Sequence, residues 1–382
     1  MKAATTLPRL LHRNAARFAI RPALREKRGG IWQVLNWSDY VLLVSRLAAG
    51  LAAHRFGRGD RLAVIGDNRP RLYAAMLAAQ SLGGVAVPLW PDAEPDWIAQ
   101  VLNHAGVSIV VAEDAEQVEK IGAVKDRMPG LRLVVQTTAH GMRQPEYDWL
   151  KSFETVAAAG AGVAERSEPE ELALLLYGND PGGEIHGVTL SHADLVAAAA
   201  ALMATEDVRQ TEETLAWLPM AWFGDALTSQ ALALSVGFTC NCPEHPETAR
   251  RDLREVGPTI LIAPPRIWEG TLADIESRGA QATPLKSALF AHFRAIADRA
   301  QQHRETGKGV PILLRMKFAL GDAVAYAPMR DQIGLRRLRW ASTGGESLSP
   351  RVLHGFRAFG INLKQSHGMP ELTNAVWEPA HA

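Results

Sequence analysis

The sequence predicts an α/β protein with two similar subdomains, each holding a mostly parallel sheet flanked by helices. Short apolar runs alternate with stretches of helical periodicity along most of the 382 residues. This alternation is typical of parallel sheets that are covered on both faces. The second half of the chain repeats the pattern of the first. A passage rich in Ala and Gly separates the halves and predicts subdomains over residues 1–163 and 164–382.

The first subdomain opens with a helix and then alternates strands with helices. Five arginines between residues 9 and 25 superficially resemble a transit peptide, but Leu7, Leu10, Leu11, Ala15 and Phe18 have helical spacing and favour a structural helix. Ser38 is predicted to cap a helix that runs to about residue 53. A further helix is predicted over residues 71–82. The predicted strands are residues 32–37, 61–65, 84–88, 108–112 and 131–135.

In the second subdomain, the connections that follow the predicted strands contain the candidate site. These strands are residues 172–177, 214–218, 238–241, 259–263, 338–343 and 362–365. Ligands of open parallel sheets bind beyond the carboxyl ends of the strands. Polar or glycine-containing segments follow several of them directly, at residues 178–187, 222–225, 264–266, 344–346 and 367–371. We therefore expect these segments to share one pocket.

The segment over residues 172–192 contains the densest of these signals. An apolar run is followed by a loop with Gly178, Gly182, Gly183 and Gly187, and then by helical periodicity over residues 193–203. A strand, a glycine-rich turn and a helix can present backbone N–H groups to a phosphate, with Ser191 as the predicted N-cap. The loop spells neither a Walker P-loop nor Gly-x-Gly-x-x-Gly. A turn that only reverses the chain remains the alternative.

Five segments in a fixed order resemble a known family. The residues that match the signature Tyr-Thr-Ser-Gly-Thr-Thr-Gly-x-Pro-Lys-Gly-Val-x-Leu-Ser-His, in register and without a gap, are Tyr177, Gly183, Gly187, Val188, Leu190, Ser191 and His192. Residues 217–222 (WLPMAW), 258–269 (PTILIAPPRIWE), 342–348 (STGGESL) and 365–371 (QSHGMPE) follow it. Together they resemble the adenylate-forming, or AMP-binding, superfamily. The match is to the N-terminal part of its long-chain fatty-acid-CoA ligases, whose N-terminal domain has the predicted fold.

The resemblance implies a set of site residues and cofactors. Glu371 would bind Mg²⁺ and act in catalysis with His186, which stands where the family has a lysine. Trp222 and Arg266 would contact a fatty acid or other carboxylate substrate, although core packing and a structural ion pair are the alternatives. ATP or AMP is the implied nucleotide, and CoA is a further candidate ligand. The residues implied to face the nucleotide are Tyr177, Gly182, Gly183, Gly187, Gly344, Gly345, Glu346, His367 and Gly368.

The sequence also departs from the family pattern. No Ser or Thr lies between Tyr177 and Thr189, and Asp180 and Glu184 add two carboxylates to a loop that in the family surrounds a polyphosphate. Two like charges about 4 Å apart cost roughly 1 kcal/mol in water and roughly 4 kcal/mol at an intermediate dielectric. Pro370 replaces a threonine. The sequence stops soon after this motif, so we expect the C-terminal lid domain of the family, with its catalytic lysine, to be absent.

Three functions follow from the resemblance and its departures. The first is an ATP-dependent ligase that activates fatty acids through an acyl-adenylate, impaired or incomplete, with a protein partner that supplies the missing domain. The second is a non-catalytic relative that binds an acyl group or a nucleotide. The third is a truncated, inactive paralogue.

The charge balance, the cysteine content and the length of the apolar runs indicate where the protein is located and which classes of partner it binds. The 41 basic and 41 acidic residues give a formal net charge of zero, which argues against nucleic acid. Cys240 and Cys242 are the only cysteines, and their number predicts structural thiols in a reducing compartment, hence the cytoplasm. No apolar run reaches the roughly 18 residues of a membrane span. The helical insertion over residues 279–317 mixes basic and apolar residues, so it is either a solvated surface helix or a peripheral membrane contact.

Overall fold

The computed structural model describes residues 5–138, 147–160, 165–178, 185–281, 283–307, 309–344, 347–365 and 376–377. The chain forms two compact units. Unit 1 comprises Met1–Thr211, Ala216–Pro246 and Pro370–Ala382, and unit 2 comprises Glu212–Leu215 and Glu247–Met369.

The strands of the described residues are mostly four to six residues long. In chain order they are β1 (Pro22–Arg28), β2 (Ile31–Asn36), β3 (Arg61–Ile65), β4 (Val85–Pro88), β5 (Val107–Ala112), β6 (Leu133–Gln136), β7 (Leu150–Ser152), β8 (Leu172–Tyr177), β9 (Gly187–Ser191), β10 (Glu213–Leu215), β11 (Thr239–Cys242), β12 (Ile260–Ala263), β13 (Trp340–Thr343), β14 (Leu363–Gln365) and β15 (Val376–Trp377).

The helices alternate with these strands. They are α1 (Leu7–Phe18), α2 (Trp37–Ala53), α3 (Pro70–Ser81), α4 (Pro95–Ala105), α5 (Ala115–Gly122), α6 (Phe153–Ala158), α7 (His192–Thr205), α8 (Phe223–Asp225), α9 (Ala233–Val236), α10 (Ala249–Val256), α11 (Pro265–Gln281), α12 (Pro284–Glu305), α13 (Ile312–Gly321), α14 (Ala327–Gln332) and α15 (Pro350–Ala358). The π-helical turns Ala226–Leu232 and Asp322–Tyr326 connect α8 to α9 and α13 to α14.

Unit 1 contains the main sheet, in the strand order β15-β9-β8-β4-β3-β5-β6-β7. The strands from β8 to β7 are parallel to their neighbours, whereas β9 and β15 pair antiparallel. Nearly every residue of β3, β4 and β5 is buried, as expected for strands covered on both faces. The predicted α/β class with mostly parallel sheets is confirmed.

The domain boundary at residue 163 stays a prediction. Strands from both sides of it share one sheet, because β8 pairs with β4 through Leu174 and Ala86.

One prediction about the glycine loop is wrong. The loop connects two strands of an antiparallel hairpin, with Tyr177 of β8 opposite Gly187 of β9, and does not lead directly into a helix. The helix α7 begins at His192, after the whole length of β9, which is about 13 Å at the usual rise per residue. The N-terminal amides of α7 therefore follow the end of β9 that lies away from the loop. The helix predicted over residues 193–203 is present as α7, but Gly-Val-Thr-Leu-Ser before it alternates in polarity, a strand signal that the prediction of a continuous loop overlooked.

The predicted cap of α7 is confirmed. Ser191 Oγ accepts a hydrogen bond from Asp194 N at 3.1 Å, and Ser191 N donates to Asp194 Oδ2 at 3.0 Å. This is a capping box. The cap predicted at Ser38 is wrong by two residues: Asn36 is the N-cap of α2, and Ser38 Oγ instead donates to the carbonyl of Ala19 at 3.0 Å.

A second sheet of unit 1 contains a strand that the sequence pattern does not predict. β1 pairs antiparallel with β2 and parallel with β11. Its sequence, Pro-Ala-Leu-Arg-Glu-Lys-Arg, has no apolar run that would mark it as a strand. Cys240 and Cys242 lie in β11 as buried free thiols, and burial raises the pKa of both, which fits the predicted structural role.

Unit 2 contains a three-stranded parallel sheet in the order β12-β13-β14. The neighbouring helices bury an aromatic core in which Trp268 and Phe356 meet edge to face at 5.2 Å between ring centroids. The predicted helical insertion is confirmed as α12 and α13. The strands β12, β13 and β14 end at Ala263, Thr343 and Gln365, and segments with predicted site residues follow all three.

Candidate functional site

In unit 1, Tyr177 anchors the start of the glycine loop at the carboxyl end of β8. Its side chain is 2% exposed, and burial raises the pKa of its hydroxyl, which is therefore neutral. Trp90 Nε1 donates to the Tyr177 carbonyl at 2.9 Å, and His104 Nδ1 lies 2.9 Å from the Tyr177 hydroxyl. Sequence reasoning missed both partners. Trp90 could have been found, because it follows the carboxyl end of β4.

At the other end of the loop, Gly187 allows β9 to approach Tyr177 closely. A Cβ at Gly187 would lie 2.7 Å from Leu175 Cδ1 and 3.1 Å from the Tyr177 hydroxyl. Any larger side chain would therefore displace the ring that begins the loop.

Next to this glycine, His186 is exposed to solvent. The pKa of His104 is lowered by burial and, to a smaller extent, by the charge of His186. The two imidazoles are thus electrostatically coupled next to the Tyr177 hydroxyl. A catalytic role for His186 stays a prediction.

Elsewhere in unit 1, the half-buried Trp222 precedes the first turn of α8. Its ring covers Gly224 so closely that a Cβ there would fall 1.7 Å from Trp222 Cζ3. The Trp222 ring therefore packs directly against the backbone of Gly224, which has no side chain. Its predicted contact with a substrate stays a prediction.

Asp225, three residues after Trp222, is buried within a polar network that sequence reasoning missed. Its carboxylate accepts hydrogen bonds from Tyr73 Oη at 2.9 Å, Ser229 Oγ at 2.7 Å and Asn68 Nδ2 at 3.1 Å. Burial outweighs these hydrogen bonds and raises the pKa of Asp225 to about 7. Asp225 is therefore partly protonated near neutral pH.

Unit 2 brings two of the predicted residues to neighbouring strand ends. Ala263 of β12 is paired with Thr343 of β13, so Arg266 in the first turn of α11 and Gly344 follow adjacent strands. Arg266 is exposed and has no ion pair within the part of the chain that the structure describes, so the structural ion pair considered for it is not observed there. Thr343 Oγ1 is fully buried and has no hydrogen-bond partner among the described residues. An orphaned hydroxyl at this edge fits a polar ligand.

The remaining predicted site residues lie outside the described residues. They are Gly182, Gly183, Gly345, Glu346, His367, Gly368 and Glu371. Among the described residues, no group of three or more His, Cys, Asp or Glu side chains could hold a metal ion. Mg²⁺ binding by Glu371 and a single pocket shared by all these segments stay predictions.

His192, the last residue of the matched signature, has a structural role. Its ring is 1% exposed, and its Nδ1 accepts a hydrogen bond from Leu7 N at 3.3 Å. Burial lowers the pKa of His192 to about 4, so the ring is neutral and joins α1 to the start of α7.

Comparison with known proteins decides the family. The sequence model for the AMP-binding enzyme matches residues 11–381. The chain belongs to the AMP-binding enzyme family. This AMP-binding chain is 24% identical over 381 residues to the long-chain-fatty-acid–CoA ligase ACSBG2 of Mus musculus, which covers 96% of the chain and 56% of the relative. The long-chain-fatty-acid–CoA ligase heimdall of Drosophila melanogaster is 25% identical over 394 residues, covering 97% and 57%. The AMP-binding chain thus spans about half the length of these curated relatives.

Solved structures of adenylate-forming enzymes share the fold of this AMP-binding chain. The adenylation domain of a carboxylate reductase from Mycobacterium chelonae superposes with a TM-score of 0.71 at 18% identity, covering 97% of this chain and 58% of that one. A putative long-chain-fatty-acid CoA ligase from Rhodopseudomonas palustris gives a TM-score of 0.66 at 18% identity, covering 95% and 74%. Within the residues that the structure describes, no helix has the length and apolarity that crossing a membrane requires.

Proposed function

We propose that this chain activates a fatty acid by forming an acyl-adenylate from ATP. In this reaction a carboxylate oxygen attacks the α-phosphorus, the bond from that phosphorus to the bridging oxygen breaks, and pyrophosphate leaves. The observation that carries the proposal is the family match over residues 11–381, together with curated relatives that are named long-chain-fatty-acid–CoA ligases and cover nearly the whole chain. Transfer of the acyl group to CoA extends the same proposal.

The described residues support specific roles in this reaction. Arg266 offers an exposed cation to a phosphate or carboxylate at the carboxyl ends of β12 and β13. The orphaned hydroxyl of Thr343 and the backbone of Gly344 lie at the same edge and suit a nucleotide base or ribose. Gly187 and the buried ring of Tyr177 fix the two ends of the loop that would face the phosphates. Mg²⁺, when bound, would neutralise phosphate charge, and we assign it to Glu371.

We further propose that the glycine loop makes this activation slow. Stabilisation of the attacked phosphate is mainly electrostatic, and loss of one preorganised donor typically costs about 10²–10³ in rate. The loop has no hydroxyl side chain from residue 178 to 188, has His186 at the lysine position, and adds the carboxylates of Asp180 and Glu184. Buried free thiols favour a cytoplasmic location.

The same loop supports a second candidate function, which is binding of an acyl group or nucleotide without turnover. Adenosine and an acyl chain can be bound by backbone groups and apolar side chains. Their binding therefore does not need the loop side chains that in the family hold the polyphosphate and that are replaced here. This candidate predicts saturable binding of AMP and of acyl-CoA, without any pyrophosphate exchange.

Pyrophosphate exchange separates the two candidates. The assay measures incorporation of labelled pyrophosphate into ATP with Mg²⁺ and fatty acids of increasing chain length. We expect slow exchange in the wild type and at least about tenfold faster exchange in the triple variant Asp180→Asn, Glu184→Gln and His186→Lys, because three repulsive or missing charges are corrected. Glu119→Gln, an exposed carboxylate of α5, is the matched control and should leave the rate unchanged.

Different results would refute the catalytic function and the binding function. No exchange in either protein, combined with calorimetric binding of AMP, would refute catalysis and support the binding function. No exchange and no binding would refute both functions.

A further inference from the structure

The helix α13 of unit 2 has apolar side chains on two opposite faces. At about 100° per residue, Leu314 and Phe318 lie on one face. Both are partly buried, and the guanidinium of Arg304 on α12 stacks on the Phe318 ring at 4.8 Å from its centroid. Phe318 also contacts Tyr326 at 5.3 Å between centroids. This inner face accounts for the packing of α13 within the unit, so the apolar residues of the opposite face need another explanation.

The opposite face contains five of the twelve large apolar side chains that are exposed among the described residues. We define the outer stripe as Ile312, Leu313, Met316, Leu320 and Val324, whose exposed fractions are 77%, 62%, 66%, 59% and 48%. Ile312, Met316 and Leu320 follow one another at intervals of four residues, so they form a continuous ridge along the helix. Single exposed apolar residues are normal, but contiguous patches mark sites of interaction.

Basic residues border this stripe on both sides. On the helical wheel Arg315 lies at one edge and Lys317 at the other, and both side chains are exposed. Residues 309–321 contain no acidic residue, and Asp322, the first acid after them, is paired with Arg330 at 2.8 Å. The surface therefore combines apolar side chains with uncompensated positive charge.

We propose that the outer stripe binds an anionic lipid surface, with α13 lying in the plane of the headgroups. An amphipathic helix with an apolar ridge between basic side chains inserts its ridge below the headgroups while the cations contact lipid phosphates. Charge complementarity favours this occupant over a second copy of the chain. A two-fold pair formed through the stripe would bring Arg315 and Lys317 of both copies together. The proposal does not depend on the proposed function.

Co-sedimentation with lipid vesicles tests the proposal. The full chain is mixed with vesicles of phosphatidylcholine, with or without phosphatidylglycerol, at low salt. We expect binding to the mixed vesicles that weakens as salt is added. The double variant Met316→Ser and Leu320→Ser should bind at least about tenfold more weakly, because two apolar side chains no longer insert. Arg315→Gln with Lys317→Gln should bind roughly tenfold or more weakly on anionic vesicles alone.

The matched control is the pair Ile31→Ser and Val34→Ser on β2, which are 65% and 53% exposed. This control should bind vesicles like the wild type, and all variants should keep the wild-type melting temperature because every substituted side chain is exposed. The proposal is overturned if the wild type fails to bind, if the control loses as much binding as the stripe variant, or if pure phosphatidylcholine binds equally well. A change from dimer to monomer in the stripe variant, with vesicle binding unchanged, would assign the stripe to self-association and also overturn it.

Discussion

Among single residues, Asp225 has the largest consequence for pH dependence. Burial raises its pKa from 3.8 in the unfolded chain to about 7 in the folded protein. The folded state therefore holds the proton more tightly, so the stabilising contribution of this group is present below pH 4 and is lost as pH rises towards 7. We expect Asp225→Asn to remove this loss. Urea unfolding from pH 4 to 8 should show a free energy of unfolding that rises more with pH in the variant than in the wild type, by roughly 1–3 kcal/mol.

His192 contributes a pH dependence of the opposite sign. Burial lowers its pKa from 6.5 to about 4, so its contribution is present above pH 6.5 and is lost as pH falls through about 4. His192→Gln keeps an acceptor for Leu7 N but does not titrate. The same urea series should show less acid destabilisation in this variant, by roughly 1–3 kcal/mol at pH 4. Parallel curves for wild type and variant would show that folding does not lower the pKa of His192.

The two residues differ in how far the sequence could have revealed them. The position of His192 at the start of a helix follows from local pattern, since it comes directly after a capping serine, but its hydrogen bond to Leu7 N spans 185 residues and does not. The network around Asp225 joins Asn68, Tyr73 and Ser229, which approach one another only after the main sheet and α8 have formed. Only the contact between Asp225 and Ser229 follows a helical spacing of four residues, whereas Asn68 and Tyr73 are more than 150 residues away from Asp225, so only the tertiary structure could show their part of the network.

At the scale of elements, helix packing on α2 depends on one glycine. A Cβ at Gly50 would lie 1.9 Å from the carbonyl oxygen of Val156 on α6, which is backbone and cannot rotate away. Gly270 sits in the interior of α11, where an added Cβ would have no atom within 4 Å. We expect Gly50→Ala to lower the free energy of unfolding by about 1–3 kcal/mol, and the matched control Gly270→Ala to raise it by about 0.5–1 kcal/mol.

Chemical denaturation of the two alanine variants measures this difference. Equal stability of both would mean that α2 and α6 do not approach as closely as the structure places them.

Elements with a continuous apolar run could be predicted from the sequence almost to the residue. β3 and β8 begin and end where predicted. Both faces of these strands are buried, so their sequences are almost continuously apolar and the ends of the apolar run mark the ends of the strand. β1 could not be predicted in this way, because most of its residues are charged and show no regular alternation of apolar and polar side chains. The glycine and serine of β9 suggest a turn and a cap, so the sequence predicts there a loop that leads directly into the following helix. Pairing with β8, which a local pattern does not encode, makes it a strand.

At the scale of the whole molecule, the fold class and the family could be predicted, because alternating strands and helices and five ordered motifs are spread along the chain. The assembly of the site could not. Trp90 and His104 come from the first third of the sequence and meet Tyr177 only because β4 and β8 are neighbours in the sheet. Thr343 and Arg266 approach through the parallel pairing of β12 and β13.

The central claim is that this AMP-binding chain keeps a site for an acyl-adenylate. Calorimetric titration with a non-hydrolysable acyl-sulfamoyl adenosine tests it most directly, since this ligand contains the adenosine and the acyl chain but no polyphosphate for the glycine loop to repel. We predict saturable binding with one site per chain, tighter than the binding of AMP alone, and weaker in Thr343→Val by about 1 kcal/mol as one hydrogen bond is lost. Absence of binding by a folded sample, or equal affinity for AMP and the acyl analogue, would contradict the claim.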